Sequence, residues 1–265
     1  MNASLVELKD VGKNFLGADG SARAVLSGVH FALHEGEIVA LLGPSGSGKS
    51  TMLRIMAGLI TADCGEVLYR GMPLYGPADG ISMVFQSFAL FPWLTVQKNV
   101  ELGLESKGVP ERERNDRAQA AIDLIGLSGF EGALPRELSG GMRQRVGIAR
   151  ALVVNPAVLL MDEPLSSLDA LSRELLMEDF EALWARENTT GAYVTHNLEE
   201  ALRMADRIMI LRRRPGRIRE IVSVAIPRRD RRSPAALRDL DRLHGELWSH
   251  IRQEAQLADR EMTDG

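Results

Sequence analysis

A short stretch rich in glycine and serine constrains the fold of this chain more than any other feature. Gly43–Ser50 reads GPSGSGKS and fits the pattern G-x-x-x-x-G-K-[ST]. The apolar run Ile38–Leu42 precedes it, and the helix-compatible segment Thr51–Leu59 follows it. A buried strand, a glycine-rich loop and a helix in this order turn backbone N–H groups and a helix N-terminus toward an anion. The stretch therefore predicts an α/β unit with a phosphate-binding loop.

Each residue of this loop has a predicted role. The glycines let backbone N–H groups point inward, Lys49 reaches the β- and γ-phosphates, and Ser50 offers its hydroxyl to Mg²⁺. An accidental Gly/Ser-rich loop is the alternative, and the strand–loop–helix order argues against it. The predicted contacts to the phosphates are Gly43, Pro44, Ser45, Gly46, Ser47, Gly48, Lys49, Ser50 and Thr51.

Two carboxylates end a second apolar run. Val158–Glu163 reads VLLMDE, and ligands of open α/β sheets lie at the carboxyl ends of strands. We therefore expect Asp162 to hold Mg²⁺ through water and Glu163 to act as general base for an attacking water. In a chain without a phosphate loop, a surface acidic pair would be the favoured interpretation.

The order of predicted elements indicates the fold class. Strands alternate with helices, which predicts an α/β fold with a mainly parallel sheet core, and two alternating segments before residue 34 predict an N-terminal antiparallel β part. Residues 87 to 150, approximately, are mainly helical and predict an inserted lobe. We expect one main domain over residues 1–227, with this lobe inserted, and a C-terminal helical extension over residues 228–265.

Composition excludes several classes of protein. The net charge of −4 argues against a nucleic-acid partner, and the single cysteine, Cys64, excludes an internal disulfide. No segment approaches the roughly 20 apolar residues of a spanning helix, and the N-terminus lacks a secretory signal. These features predict a soluble, cytosolic chain that reaches a membrane only through a partner.

A second helix N-terminus is also suited to an anion. Leu138–Met142 reads LSGGM and leads into a helix predicted over Arg143–Val153. Ser139 is a good N-cap, and Gly140 and Gly141 expose the first free N–H groups. A simple helix cap with a flexible lead-in is the alternative for this motif alone.

Together these motifs resemble those of the ATP-binding subunits of ABC transporters, over about residues 6 to 224. GPSGSGKS is similar to the Walker A loop, LSGGMRQR to the ABC signature, and LLMDEP to Walker B with its catalytic glutamate. Three further positions are similar to the Q-loop glutamine, the D-loop and the switch histidine: Gln86, Ser167–Asp169 and His196. The resemblance implies an ABC-type P-loop NTPase that binds ATP and Mg²⁺.

The resemblance also implies how these positions work. ATP would lie between the Walker A loop of one subunit and Ser139, Gly140 and Gly141 of its partner in a head-to-tail homodimer, with Asp169 near the nucleotide. Gln86 would sense Mg²⁺ and the attacking water, and His196 would contact the γ-phosphate. A core histidine is the alternative for His196.

Two positions near these motifs need separate treatment. Phe15 stands where the family stacks an aromatic ring on adenine, and a core phenylalanine is the equally weighted alternative. Asn197 replaces the aspartate that the family usually has after the switch histidine. Because Asn197 is not a phosphate ligand, the resemblance still implies ATPase activity.

Features outside the nucleotide motifs indicate the type of transporter. RPGRI, Arg214–Ile218, resembles a hairpin of nitrate, sulfonate, taurine and bicarbonate importer ATPases. An apolar cluster after Gln86 is expected to receive a coupling helix of the permease, with some of it packed inside the lobe: Phe88, Phe91, Pro92 and Trp93. Two arginine groups, Arg212–Arg214 and Arg228–Arg232, are interpreted as a solvated face paired with nearby acids, with contact to anionic lipid as the alternative.

These features imply an importer of small anions at the cytoplasmic face of the inner membrane. Its partners would be two permease subunits and, indirectly, an external substrate-binding protein. Lipid or drug export is one alternative function. A soluble ABC ATPase of DNA repair or translation is another, and the single cassette without a long coiled-coil insertion argues against it.

Overall fold

The computed structural model describes residues 3–17, 20–166, 168–187, 189–213 and 215–263, with backbone alone at 183, 185–187, 255 and 257–263. The chain divides into two compact units. The first comprises residues 1–78 and 188–265, and the second comprises residues 79–187. The predicted lobe, residues 87 to 150, falls within the second unit.

The described residues form ten strands, seven α-helices and two short 3₁₀ turns, Pro135–Glu137 and Arg228–Asp230. The strands are β1 (Ser4–Leu16), β2 (Ala22–His34), β3 (Ile38–Leu42), β4 (Cys64–Tyr69), β5 (Met72–Pro73), β6 (Ile81–Val84), β7 (Val158–Asp162), β8 (Thr190–Val194), β9 (Arg207–Arg212) and β10 (Arg217–Ser223). The helices are α1 (Lys49–Met56), α2 (Val96–Ser106), α3 (Glu111–Leu124), α4 (Gly140–Leu152), α5 (Ala170–Glu187), α6 (Leu198–Met204) and α7 (Pro234–Thr263). Within the part of the chain described, no helix has both the length and the apolar character needed to cross a membrane.

The first unit combines an antiparallel sheet with parallel core strands. Its N-terminal sheet has the order β2-β1-β4-β5 and pairs antiparallel throughout. Its core strands have the order β10-β9-β3-β8, and β3 is parallel to both of its neighbours. Every residue of β3 is buried, as expected for a strand covered on both faces. The predicted antiparallel N-terminal part and parallel core are therefore confirmed.

The second unit joins a parallel strand pair to a helical core. β6 runs parallel to β7, with Ile81 opposite Val158 and Val84 opposite Met161. Helices α2, α3 and α4 share one apolar core: Val96, Val100, Leu104, Ala118, Ala121, Ile122, Ile125, Leu127, Leu138, Val146, Ala149 and Val153. The apolar pattern alone did not indicate α2, because the helix buries Asn99 and Glu101 at 0% and 1% exposure.

The first residues beyond Pro227 are anchored to the first unit by a buried arginine. Arg231 is 2% exposed. Its Nη1 donates hydrogen bonds to the carbonyl oxygens of Leu202 (3.0 Å) and Ala205 (2.7 Å), and its Nε donates to Ile226 (2.9 Å). Because these acceptors include the C-terminal end of α6, the guanidinium caps that helix. The interpretation of the whole arginine group as a solvated face is therefore wrong for Arg231.

The C-terminal helix α7 is attached to β10 by charged side chains. Nη1 of Arg219 lies 3.0 Å from Oε1 of Glu254 and donates to the carbonyl oxygen of His250 at 2.8 Å. The imidazole of His250 in turn lies 2.6 Å from the carboxylate of Glu220. Polar contacts thus fasten one side of α7 to the edge strand of the first unit.

Candidate active site

The loop between β3 and α1 holds itself in the shape of a cradle. Lys49 is only 6% exposed, and its Nζ donates hydrogen bonds to the carbonyl oxygens of Gly43 (2.9 Å) and Pro44 (3.0 Å). The fully buried hydroxyl of Ser47 lies 3.4 Å from the same nitrogen. Lys49 therefore closes the loop over the N-terminus of α1.

Glycine is required at both ends of this cradle. Gly43 has φ +147° and Gly48 has φ +87°, backbone conformations that side chains rarely adopt. A Cβ atom on Gly43 would lie 2.4 Å from the carbonyl oxygen of Leu211, and one on Gly48 would lie 2.6 Å from Cδ2 of Leu26. Both ends of the loop are therefore bare backbone pressed against neighbouring strands. A bare cradle that opens onto a helix N-terminus fits the phosphates of a nucleotide.

The ends of the two strands of the second unit bring polar side chains together. Asp162 is the last residue of β7 and is 1% exposed. Glu163 follows it with φ +53°, a conformation uncommon for a residue with a side chain. Gln86 lies just beyond β6, and its Nε2 donates a 2.8 Å hydrogen bond to Oε2 of Glu163. The parallel register of the strands thus joins residues that are 77 positions apart.

The N-terminus of α4 is less tightly packed than the cradle. The hydroxyl of Ser139 accepts a hydrogen bond from the backbone N–H three residues on (3.2 Å), so the predicted N-cap is confirmed. The helix begins at Gly140, earlier than predicted, and Gly141 is in its first turn. A Cβ atom on Gly141 would lie 2.9 Å from Cδ2 of Leu168, whereas one on Gly140 would have no neighbour closer than 4.0 Å. The helix start is therefore packed at Gly141 and less crowded at Gly140.

Comparison with known proteins identifies the family. Residues 26–166 match the family model described as ABC transporter. This chain belongs to the ABC transporter family. It is 43% identical to the nitrate import ATP-binding protein NrtD of Synechocystis over 222 residues, which are 84% of this chain and 83% of the relative. It is 39% identical to the aliphatic sulfonates import ATP-binding protein SsuB of Bacillus cereus over 222 residues, 84% of this chain and 87% of that one.

A solved structure of the same family agrees in fold. The dimeric structure of a post-hydrolysis state of an ATP-binding cassette bound to ADP and Pi matches with a TM-score of 0.77 and 34% identity, over 84% of this chain and all of that one. The predicted ABC-type P-loop NTPase fold is therefore confirmed. This ABC transporter subunit is an ATP hydrolase, and its cofactors are ATP and Mg²⁺.

The switch-histidine region of this ABC ATPase follows β8. His196 is exposed and directly precedes Asn197, the N-cap of α6. The side-chain oxygen of Asn197 accepts hydrogen bonds from the backbone N–H groups of Glu199 (2.8 Å) and Glu200 (3.2 Å). Asparagine and aspartate cap helices about equally well, which accounts for the departure from the family pattern at this position.

The D-loop leads into α5. Ser167 lies outside the described residues, and Leu168 is buried. Asp169 is exposed and accepts a 3.0 Å hydrogen bond from the backbone N–H of Ser172. Hydrogen bonds from Ser172 hold the pKa of the Asp169 carboxyl below its usual value. Asp169 therefore caps α5 as a carboxylate, a structural role that the motif alone did not indicate.

Phe15 lies near the end of β1 with 42% of its surface exposed. The alternative of a core phenylalanine is therefore wrong. The ring remains available for stacking on one side, and the Nζ of Lys13 lies 5.5 Å from its centroid.

Two residues that the sequence did not indicate, Arg150 and Asn99, shape the segment after Gln86. Phe88 and Ala89 both have positive φ, at 61° and 46°. Arg150 of α4 donates hydrogen bonds to their carbonyl oxygens at 2.7 and 2.6 Å, and burial lowers the pKa of its guanidinium. The buried amide of Asn99 donates to the carbonyl oxygen of Phe91 (3.2 Å) and accepts from its N–H (2.8 Å). No periodic pattern marks either residue, because each acts on a loop outside its own helix.

Proposed function

We propose that this ABC ATPase hydrolyses ATP at a site shared between two copies of the chain, and so powers import of a small anion through a membrane permease. The main support is an exposed apolar segment after Gln86, which hydrogen bonds from its own unit fix in place.

The phosphate loop and the strand ends divide the chemistry between them. Lys49 and the N–H groups of residues 43–51 bind the phosphates, while Ser50, Gln86 and Asp162 provide oxygen ligands for Mg²⁺. Mg²⁺, when bound, neutralises part of the phosphate charge. Glu163 takes a proton from the attacking water, and His196 holds that water and the γ-phosphate. Phe15 stacks on the adenine.

The hydrogen bond between Gln86 and Glu163 supports this division. It joins the proposed metal sensor to the proposed general base at 2.8 Å. A Gln86 amide that turns toward the metal releases the carboxylate, so the base becomes available when the nucleotide is loaded.

Replacement of the base tests the chemistry. Glu163→Gln keeps the side-chain shape and removes the proton acceptor, so turnover should fall by about 10³-fold with ATP binding unchanged. Glu199→Gln, at an exposed position on α6, is the matched control and should hydrolyse ATP normally. Turnover is measured as phosphate release and binding by calorimetry. Normal turnover of Glu163→Gln would contradict the assignment.

The open N-terminus of α4 supports the shared site. Ser139, Gly140 and Gly141 supply the first N–H groups of the helix, and a Cβ atom on Gly140 would have no neighbour nearer than 4.0 Å. In a head-to-tail homodimer these groups would bind the γ-phosphate of ATP held by the partner's cradle, with Asp169 and the D-loop nearby. The cassette of similar fold bound to ADP and Pi is itself dimeric.

The apolar segment after Gln86 supports a membrane partner. Trp93 is 71% exposed and meets Phe91 edge to face, with ring centroids 5.5 Å apart. Phe91 also lines a groove of about 610 Å³ together with Phe85, Ala89 and Val154. Arg150 and Asn99 donate hydrogen bonds to the backbone of this segment and fix it, so its exposed apolar side chains stand on an ordered backbone. We propose that a short helix of each of two permease subunits binds there.

A charge in this surface tests the permease partner. Trp93→Asp should abolish co-purification with the permease and ATP-driven transport in reconstituted vesicles, while ATP binding stays at the wild-type level. Trp248→Asp on α7 is the matched control, because Trp248 is also exposed, at 54%. Loss of ATP binding in Trp93→Asp, or an equal loss of transport in both variants, would contradict this surface.

The cargo follows by similarity alone. Relatives at 43% and 39% identity are named for nitrate and aliphatic sulfonate import. We infer a cargo of this class, nitrate, sulfonate or taurine, delivered by an external binding protein to a permease that holds this subunit at the cytoplasmic face of the inner membrane. Uptake assays with each anion test the choice. Export of lipids or drugs is the alternative function. Purification of this subunit from cells without any bound permease would favour a non-transport ATPase.

A further inference from the structure

The hairpin between β9 and β10 brings an arginine to the phosphate loop. β9 is parallel to β3, with Ile210 opposite Leu42. Both strands therefore end at the same edge of the core sheet, where ligands of such folds bind. Gly43 follows β3 and Arg213 follows β9, while Arg214 lies outside the described residues.

The guanidinium of Arg213 lies against the middle of the loop. A Cβ atom on Gly46 would lie 3.3 Å from its Nε, 3.6 Å from its Nη2 and 3.8 Å from its Cζ. Three guanidinium atoms within 4 Å of that point place the planar group beside the loop at Gly46. The cation therefore lies beside the loop that we propose to bind the phosphates.

Arg213 has no anionic partner among the residues that the structure describes. Its Nε is buried there without a hydrogen-bond acceptor. Other arginines of the first unit are paired: Arg207 with Glu37 at 2.9 Å and Arg219 with Glu254 at 3.0 Å. A partly buried cation without a counter-charge lowers stability, so an unpaired one at an anion site points to a ligand that supplies the charge.

The hairpin has a fixed position relative to the loop. The N–H of Gly216 donates to the carbonyl oxygen of Val25 (2.9 Å), and the N–H of Ser27 donates to the carbonyl oxygen of Gly216 (3.0 Å). A Cβ atom on Gly216 would lie 2.2 Å from the carbonyl oxygen of Ser47, so this glycine packs directly on the loop. Gly216, three residues after Arg213, is thus fixed to the loop by backbone contacts.

We propose that Arg213 is a second cation of the phosphate site, which raises affinity for the polyphosphate of a nucleotide and holds the loop at Gly46. The inference rests on the proposed nucleotide-binding role of residues 43–51. Attraction at this range increases with the charge of the ligand and weakens with salt. Arg213 should therefore matter more for ATP than for ADP, and more at low salt than at high salt.

The test compares charge removal at two adjacent arginines. Arg213→Gln removes the charge beside the loop, Arg213→Lys retains it, and Arg212→Gln removes the same charge from the exposed neighbour. We expect Arg213→Gln to raise the Kd for Mg²⁺-free ATP about tenfold at low salt and about twofold at high salt, with a smaller effect on ADP. Arg213→Lys should recover most of the affinity, and Arg212→Gln should stay within about twofold of wild type.

Two controls separate the possible failures. Thermal unfolding without nucleotide shows whether each variant is folded, and Arg213→Leu replaces Arg213→Gln if the latter is not. Lys49→Ala should lose ATP binding. If Lys49→Ala binds ATP normally, the proposed nucleotide loop itself is wrong. If Lys49→Ala loses binding, the loop assignment stands. In that case the role of Arg213 is wrong if Arg213→Gln has the same Kd for ATP as wild type, or as Arg212→Gln, at both salt concentrations.

Discussion

The two loops that we propose to bind anions in this subunit are built in opposite ways. The phosphate loop after β3 is closed by its own lysine and packed against neighbouring strands, so that a Cβ atom at Gly43 or Gly48 would overlap other atoms. The signature at the start of α4 is capped by Ser139, and a Cβ atom at Gly140 would have no neighbour nearer than Nη2 of Arg143, at 4.0 Å. One loop is complete within the chain, whereas the other has a free face.

The difference indicates which contacts come from outside the chain. A loop that is packed on its outer side can only use its inner N–H groups, and it can bind a nucleotide without a partner. A capped helix end with open space beside it satisfies its N–H groups only when an anion or water arrives. The packing of each loop therefore supports a nucleotide that is bound first by one subunit and enclosed later by the second.

The largest expected effect separates binding from assembly. Lys49→Ala should weaken ATP binding by a single chain at least about 100-fold, because the cradle loses both its clamp and a phosphate contact. Ser139→Asp retains an N-cap but faces the γ-phosphate with a negative charge, so it should bind ATP normally and fail to dimerise or hydrolyse it. Calorimetry and size-exclusion chromatography with ATP measure the two properties.

A mixture of these two variants sharpens the comparison. Each mixed dimer has one site with an intact cradle facing an intact signature, so turnover should reappear when two inactive chains are combined. An inactive mixture that still forms ATP-dependent dimers would contradict independent shared sites.

Glycine replacement should affect the stability of one loop and not the other. Gly43→Ala forces a Cβ atom toward the backbone oxygen of Leu211 and should lower the free energy of unfolding by about 2–4 kcal/mol. Gly140→Ala meets open space in the first turn of a helix and should change it by less than about 0.5 kcal/mol, while turnover falls. Urea denaturation of both variants measures the stabilities. Equal losses would remove the contrast between packed and open loops.

The smallest expected effect concerns the cap of α4. Ser139→Ala removes the acceptor for the backbone N–H of residue 142 and should cost about 1 kcal/mol of stability. Ser139→Thr retains a hydroxyl and serves as the control. A loss well above this estimate would mean that the signature is held by more than its cap.

Local patterns predicted the parts of the site that depend on short stretches of sequence. GPSGSGKS between a buried strand and a helix predicted the cradle, and LSGGM predicted the cap at Ser139. The contact of Arg213 with Gly46 was beyond such patterns because the two residues are far apart in the chain. Helix α2 was also missed, because the buried amide of Asn99 supports a loop and interrupts the apolar pattern.

The buried position of Arg231 has a practical consequence for shortening the protein. A chain that ends at Pro227 would keep every strand and every nucleotide motif, and from the sequence it would pass for a complete ATPase. It would nevertheless lose the guanidinium that satisfies the carbonyl oxygens of Leu202 and Ala205. Those carbonyls end α6, which starts directly after His196 and Asn197. The minimal functional fragment therefore has to extend past residue 231, even if α7 proves dispensable.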